Sequence, residues 1–165
     1  MRLKTRNLLA SLTAIVLVTG IMALTGQKKK EVTPQTEEWR LISDRTTATV
    51  YNAVPSQCNE DCLHTASMYV IEPERIPEQR ILAMERTFMA ECGVRYGDVV
   101  RIEGTGRYDG LWQVQDTMNK RFKGQHKIDL LVPSHIRHGK WQGVKVYVPR
   151  NNLAREKAEK FTREI

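Results

Sequence analysis

The chain has 165 residues, of which 41% are hydrophobic and 27% charged, with 26 Lys and Arg against 19 Asp and Glu for a formal charge of +7. That length fits one domain with appendages, and a core drawn from roughly 100 residues folds without a metal or a disulfide framework. Three of the cations, Arg2, Lys4 and Arg6, precede a terminal apolar run; without them the balance is +4, so nucleic acid binding is not demanded and none is expected.

Leu8 to Leu24 runs 17 residues without a charge and is closed by Lys28, Lys29 and Lys30. This is the pattern of an export signal or membrane anchor, at the short limit for a spanning helix. Ala23 to Thr25 is the nearest approach to a cleavage site, and an uncleaved anchor is the favoured reading. The expected organisation is therefore a signal anchor or signal peptide over residues 1–26 and a polar spacer over 27–45. A folded domain over 46–149 and a peripheral C-terminal helix over 150–165 follow. The location implied is the cell envelope, on the extracytoplasmic side of the cytoplasmic membrane. The oligomeric state is left open.

From Thr47 to Ala53 the chain is rich in β-formers and reads as a strand, as do Ser67–Ile71 and Arg80–Met84. The segment between them holds Cys58 and Cys62, spaced to close a small disulfide in an oxidising compartment. With His64 they would instead supply three zinc ligands, but a structural zinc site takes four and no fourth partner is local, so no metal is expected. Cys92 makes the cysteine count odd. Glu85 to Cys92 reads as a short helix ended by Gly93.

Asp98–Glu103, Leu111–Asp116, Lys127–Val132 and Val144–Val148 are short β-rich runs between Gly-rich or polar loops, the pattern of a compact all-β domain closed or nearly closed into a barrel. Asn151 is placed to cap a last helix from Leu153 towards Ile165, with few apolar anchors. In the Leu111 strand, a period of two puts Trp112, Val114 and Asp116 on one face and Leu111, Gln113 and Gln115 on the other. A carboxyl group at the end of an apolar stripe is partly desolvated, which disfavours the anion and suits a proton donor. An Asp at a strand end also commonly caps the turn that follows. The run after Asp116 adds a second acid, Asp129, across a loop bearing Lys120, Arg121, Lys123 and His126. Lys120 and Arg121 suit contact with substrate carboxylates, or a solvated loop face. Strand parity points Trp112 with Val114, into the barrel core. His126, His135 and His138 read as ordinary loop histidines. No phosphate loop, dinucleotide fingerprint or serine elbow is present.

Gln115 and Asp116, then Lys123 to His126, then Ile128 and Asp129 resemble the second and third aspartates, with the intervening loop, of the triple-aspartate (Asp-Asp-Asp, or 3D) domain. That domain occurs in membrane-bound lytic transglycosylase A and in standalone muralytic proteins. Ala48 to Tyr51 and Thr65 to Ser67 are similar to the family's opening segments, so the resemblance spans about Thr47 to Pro149. The family's first aspartate falls at Glu85, Met68 stands where the family pattern has glycine, and Met118 and Asn119 replace glycines after the second aspartate.

The fold this implies is a small six-stranded double-psi β-barrel with one or two short helices, here preceded by an N-terminal membrane helix. The activity implied is non-hydrolytic cleavage of peptidoglycan between N-acetylmuramic acid and N-acetylglucosamine. Asp116 would act as general acid and base, Asp129 and Glu85 as its supports, and Trp112, Lys120, Arg121, Lys123 and His126 would line the substrate site. The implied partner is the peptidoglycan glycan strand, and one acid suffices without a cofactor. The contrasting expectation is a non-catalytic, membrane-anchored glycan-binding barrel.

Overall fold

In the computed structural model, which describes residues 38–57, 61–150 and 152–165, six strands close into a barrel. They are β1 (Trp39–Tyr51), β2 (Ile81–Met84), β3 (Val99–Glu103), β4 (Gly110–Thr117), β5 (Lys127–Leu131) and β6 (Lys140–Pro149). Among the described residues three α-helices accompany them: α1 (Ile76–Gln79), α2 (Arg86–Cys92) and α3 (Asn152–Glu164). Around the barrel the order is β1, β5, β2, β4, β3, β6, closing on β1. The pairs β1–β5 and β2–β4 are parallel and the other four antiparallel, so the sheet is mixed.

Alternation builds the core. Val100 and Ile102, Ile128 and Leu130, and Val144 and Val146 are fully buried at every second position of β3, β5 and β6, and Leu82, Met84, Trp112 and Val114 join them. Phe88 of α2 packs into the same cluster. Each such side chain contributes about 1.5–3 kcal/mol through burial.

Two expectations about the chain's organisation change. The sheet begins at Trp39, inside the segment read as spacer. Ser43, Asp44 and Arg45 hid this, because β1 shifts register against β6 three times between Leu41 and Ala48, and polar residues fall where strict alternation would put apolar ones. Thr46 Oγ1 donates to Ser43 Oγ (2.9 Å), so the bulged turn satisfies its own buried hydroxyls. The last helix is also better anchored than its pattern suggested. Ala158 of α3 is buried with Trp39, Val99 and Tyr147, and Phe161 packs against that group.

The strand expected over Ser67–Ile71 does not form. The Thr65 and Ser67 hydroxyls accept from the Tyr69 N–H at 3.1 and 3.3 Å, a local bond that competes with a sheet ladder. Only an isolated bridge between His64 and Val70 remains. The apolar run Leu8–Leu24, read as the membrane helix, lies outside the described residues. Among those described, no helix is long and apolar enough to cross a membrane.

A chain starting at residue 46 removes Trp39, which is 4% exposed and opposite Pro149 at the closing seam of the barrel. Relative to a chain starting at residue 38, it is expected to lose at least the ~3–5 kcal/mol typical of truncating a buried Trp. Thermal unfolding of the two, with Trp39→Ala as a third sample, checks this.

Candidate functional site

The strand β4 does not keep the parity that its sequence suggests. Leu82 lies opposite Val114, but the next residue, Ala83, lies opposite Asp116, so Gln115 is the extra residue of a bulge. Leu82 and Val114 face the core, whereas Ala83 and Asp116 line an outer groove of about 550 Å³. Asp116 is therefore turned away from the Trp112–Val114 face rather than ending it, a common use of a bulge beside a functional site. Gln115 also ties down the preceding loop: its backbone oxygen accepts from Ser67 N (3.1 Å) and its side chain accepts from Ser67 Oγ (2.6 Å). That anchor brings the Ala66 N–H to Asp116 Oδ1 at 3.0 Å, where Thr117 N also donates at 2.7 Å. The Tyr51 hydroxyl approaches Asp116 Oδ2 at 3.5 Å. Each of these groups donates to Asp116.

Asp129 stands on the other side of Ala83. Ala83 is the register partner of both acids, and Thr49 is the partner of both Asp129 and Lys140. Lys140, Thr49, Asp129, Ala83 and Asp116 thus form one row across five strands. Two strand spacings put the backbones of the acids about 10 Å apart, with the small Ala83 methyl as floor between them. Burial pushes the Asp129 carboxyl above its ordinary value. The Thr49 hydroxyl, donating at 2.7 Å, and Lys127 oppose that shift, while the charge of Asp116 adds to it. A carboxyl whose proton is held more tightly than usual and a second carboxyl group face each other over a shallow floor, an arrangement suited to proton transfer.

Glu85 is not the third member of this set. It is the N-cap of α2: its two carboxylate oxygens accept from the N–H groups of Thr87 and Phe88, both at 3.0 Å. The side chain is 3% exposed and absent from the groove lining. Burial alone would raise its pKa, but the backbone bonds together outweigh that and hold the carboxyl below its ordinary value. Its acidity is committed to the helix.

The remaining expected site residues separate. Lys120 and Arg121 line the groove with the two aspartates, carried by a short turn whose cap, Asn119, accepts from Arg121 N. Lys123 is exposed and lines no part of it. His126 stands apart, stacked on Phe88 at 4.6 Å, with Nδ1 3.2 Å from Ser43 Oγ. Trp112 is 2% exposed, its Nε1–H donates to Tyr108 O at 2.8 Å, and the Arg80 guanidinium lies 4.3 Å from its ring centroid, so it is a core residue and not a sugar platform. The disulfide reading falls on Cys58, outside the described residues. Sequence reasoning missed Thr49, Ala83, Tyr51 and the Ala66 N–H. Strand register brings Thr49 and Ala83 to the acids and the Ser67–Gln115 anchor brings Ala66, contacts that no spacing along the chain announces.

A larger hollow of about 760 Å³ between α3 and the barrel contains neither aspartate, so the groove over Ala83 is the candidate site. No protein-family model matches the chain, and no curated protein matches it.

Two stability measurements test these assignments. Because the folded Asp129 binds its proton more tightly than the unfolded chain does, wild type is penalised above the folded pKa. Asp129→Asn is expected to be about 1 kcal/mol more stable at neutral pH, the gap closing as pH falls through the ordinary carboxylate range. Glu85 has the opposite sign, since its lowered pKa stabilises the fold above the unfolded value and that contribution is lost as pH falls through the folded one. Glu85→Gln should cost about 1 kcal/mol at neutral pH and converge with wild type in acid, as denaturant titrations at several pH values would read.

Proposed function

We propose that this chain is a triple-aspartate domain of double-psi β-barrel type that cleaves peptidoglycan between N-acetylmuramic acid and N-acetylglucosamine without water. The row Asp129–Ala83–Asp116 carries the reading, because it sets a carboxyl whose pKa burial raises beside a second one held by backbone N–H groups, at the floor of an open groove. The closed six-stranded barrel with parallel β1–β5 and β2–β4 pairs supports the fold assignment. The resemblance around Gln115–Asp116 and Ile128–Asp129 supports the substrate class.

In this reading Asp129, rather than Asp116, is the acid. Its carboxyl donates a proton to the glycosidic oxygen as the bond from that oxygen to the muramic C1 breaks. The resulting carboxylate takes the proton of the muramic C6 hydroxyl as that oxygen closes on C1, giving the 1,6-anhydro ring and restoring the acid. No water is consumed, and one group serves both halves. Asp116, held by Ala66 N, Thr117 N and Tyr51, keeps Asp129 protonated and stabilises positive charge developing at C1. Lys120 and Arg121 on the rim meet carboxylates of the polymer. The apolar run Leu8–Leu24 would hold the domain at the outer face of the cytoplasmic membrane.

One observation favours a second reading, a glycan-binding barrel without catalysis: Glu85, at the position of the family's first aspartate, is committed to capping α2 and lies outside the groove, so only two of the three family positions line it. Incubation with purified sacculi and mass spectrometry of the released material decides between them. Anhydromuropeptides are expected from wild type, with Asp129→Asn slower by about 10²- to 10⁴-fold. Asp116→Asn should retain more activity and move the alkaline limb of the pH profile to lower pH, since removing a like charge lets Asp129 ionise earlier. Full activity in Asp129→Asn would place the acid elsewhere; binding without any cleavage by wild type would leave the binding reading.

A further inference from the structure

Next to the carboxylate groove the barrel carries a second depression, of about 680 Å³, lined by Arg45, Thr47, His126, Lys127, Lys140 and Gln142. Its placement follows from the same register. Lys127 and Asp129 share the outward face of β5, with the fully buried Ile128 between them; Thr47 is the partner of Lys127, and Lys140 stands in the row with Thr49 and Asp129. The two depressions are joined through Phe122, whose ring lies 3.9 Å from Lys127 Nζ and 4.8 Å from the Arg121 guanidinium. Arg121 lines the groove of the aspartates and Lys127 lines this one.

The depression is short of negative charge. None of the ion pairs among the described residues involves Arg45, Lys127 or Lys140. Its single acid, Glu91, is 58% exposed and lies 3.7 Å from His126. Partial burial and the charges of Arg121 and Lys140 lower the pKa of Lys127, and only Asp129 opposes them. A cluster of cations that repel one another, beside a hydroxyl and an amide, is relieved by an anion whose oxygens they share.

We propose that this depression is a subsite for the carboxylates of wall peptide stems, so that the chain selects stem-bearing glycan over bare glycan. The inference rests on the wall reading above and deepens it. The stem leaves the muramic sugar next to the bond over Asp129, and two residues of β5 place Lys127 about 7 Å along the strand from that acid. The cations at the depression are carried by β1, β5 and β6, so a carboxylate meets a rigid set of donors rather than a mobile loop. Phosphodiester polymers of the wall would present similar oxygens, and the test separates the two sources.

The full chain carrying Asp129→Asn, which removes cleavage from the readout, is cosedimented with sacculi stripped of phosphodiester polymers by hydrofluoric acid. A second set is the same sacculi after an amidase has removed the stems, and a third is sacculi that keep their phosphodiester polymers. Binding about tenfold tighter to stem-bearing sacculi is expected. Arg45→Gln with Lys140→Gln, two exposed side chains outside the groove of the aspartates, should remove most of that preference and leave binding to stemless sacculi unchanged; tenfold corresponds to about 1.4 kcal/mol, within reach of two surface cations. Arg45→Lys with Lys140→Arg should retain the preference if charge is what acts. Equal affinity for both sacculi, an unchanged preference in the Gln variant, or binding that disappears with the phosphodiester polymers would each overturn the subsite alone. Failure to bind any sacculus would overturn the wall reading together with it.

Discussion

The bulge at Gln115 is the constraint on which the site depends. Without it, the pairing that sets Leu82 against Val114 would set Ala83 against Gln115, and Asp116 would turn into a core that already holds Trp112, Val114 and Met84. An ionised carboxylate there would lack partners and cost several kcal/mol. With one residue displaced, Asp116 emerges beside Ala83, and the displaced Gln115 uses its backbone oxygen and side chain to fix Ser67. The same local irregularity thus aims the acid and delivers the loop N–H that holds it.

The periodic parts of the fold were legible because burial enforces period two. β3, β5 and the Val144–Val148 part of β6 carry an apolar residue at every second position, and the limits of β3 and β5 fall within about one residue of those expected, whereas β6 begins earlier, at Lys140. What was not legible are the places where register slips. The front of β1 shifts against β6 around Ser43 and Thr46, so its polar residues imitate a spacer. Asp116 was placed on the wrong face by the same rule that placed Val114 correctly. Glu85 was legible as the start of a helix and as a candidate acid, and only the geometry shows that the first role uses up both oxygens. Met68, noted as standing at a glycine position, has a backbone φ of 69°, which costs a residue with a Cβ about 1–2 kcal/mol relative to glycine.

Charge on the outer face is arranged in opposition. Asp116 and Asp129 occupy one side of the row and Lys140 the other, with Thr49 between. Lys127 acts on both halves: it draws the Asp129 pKa down, while Arg121 and Lys140 draw its own down. An anion seated among those cations would weaken the pull of Lys127 on Asp129, so that occupation of the basic depression and protonation of the acid reinforce each other. Two depressions that look separate are linked through one lysine.

The two aspartates differ not in residue type but in who donates to them. Asp116 receives two backbone N–H groups and the approach of a phenol, all fixed by strand and loop geometry. Asp129 receives one hydroxyl, and Thr49 can rotate that hydroxyl to accept instead, so the group changes protonation state without breaking the row. Backbone donors cannot reverse, so the Oδ1 side of Asp116 is fixed as an acceptor, whereas the partner of Asp129 can change role. Ala83 completes the division: with only a methyl at the floor, no side chain stands between the two acids, and the charge of Asp116 adds to the raised pKa of Asp129. A larger side chain at that position would fill the floor of the groove between the two acids.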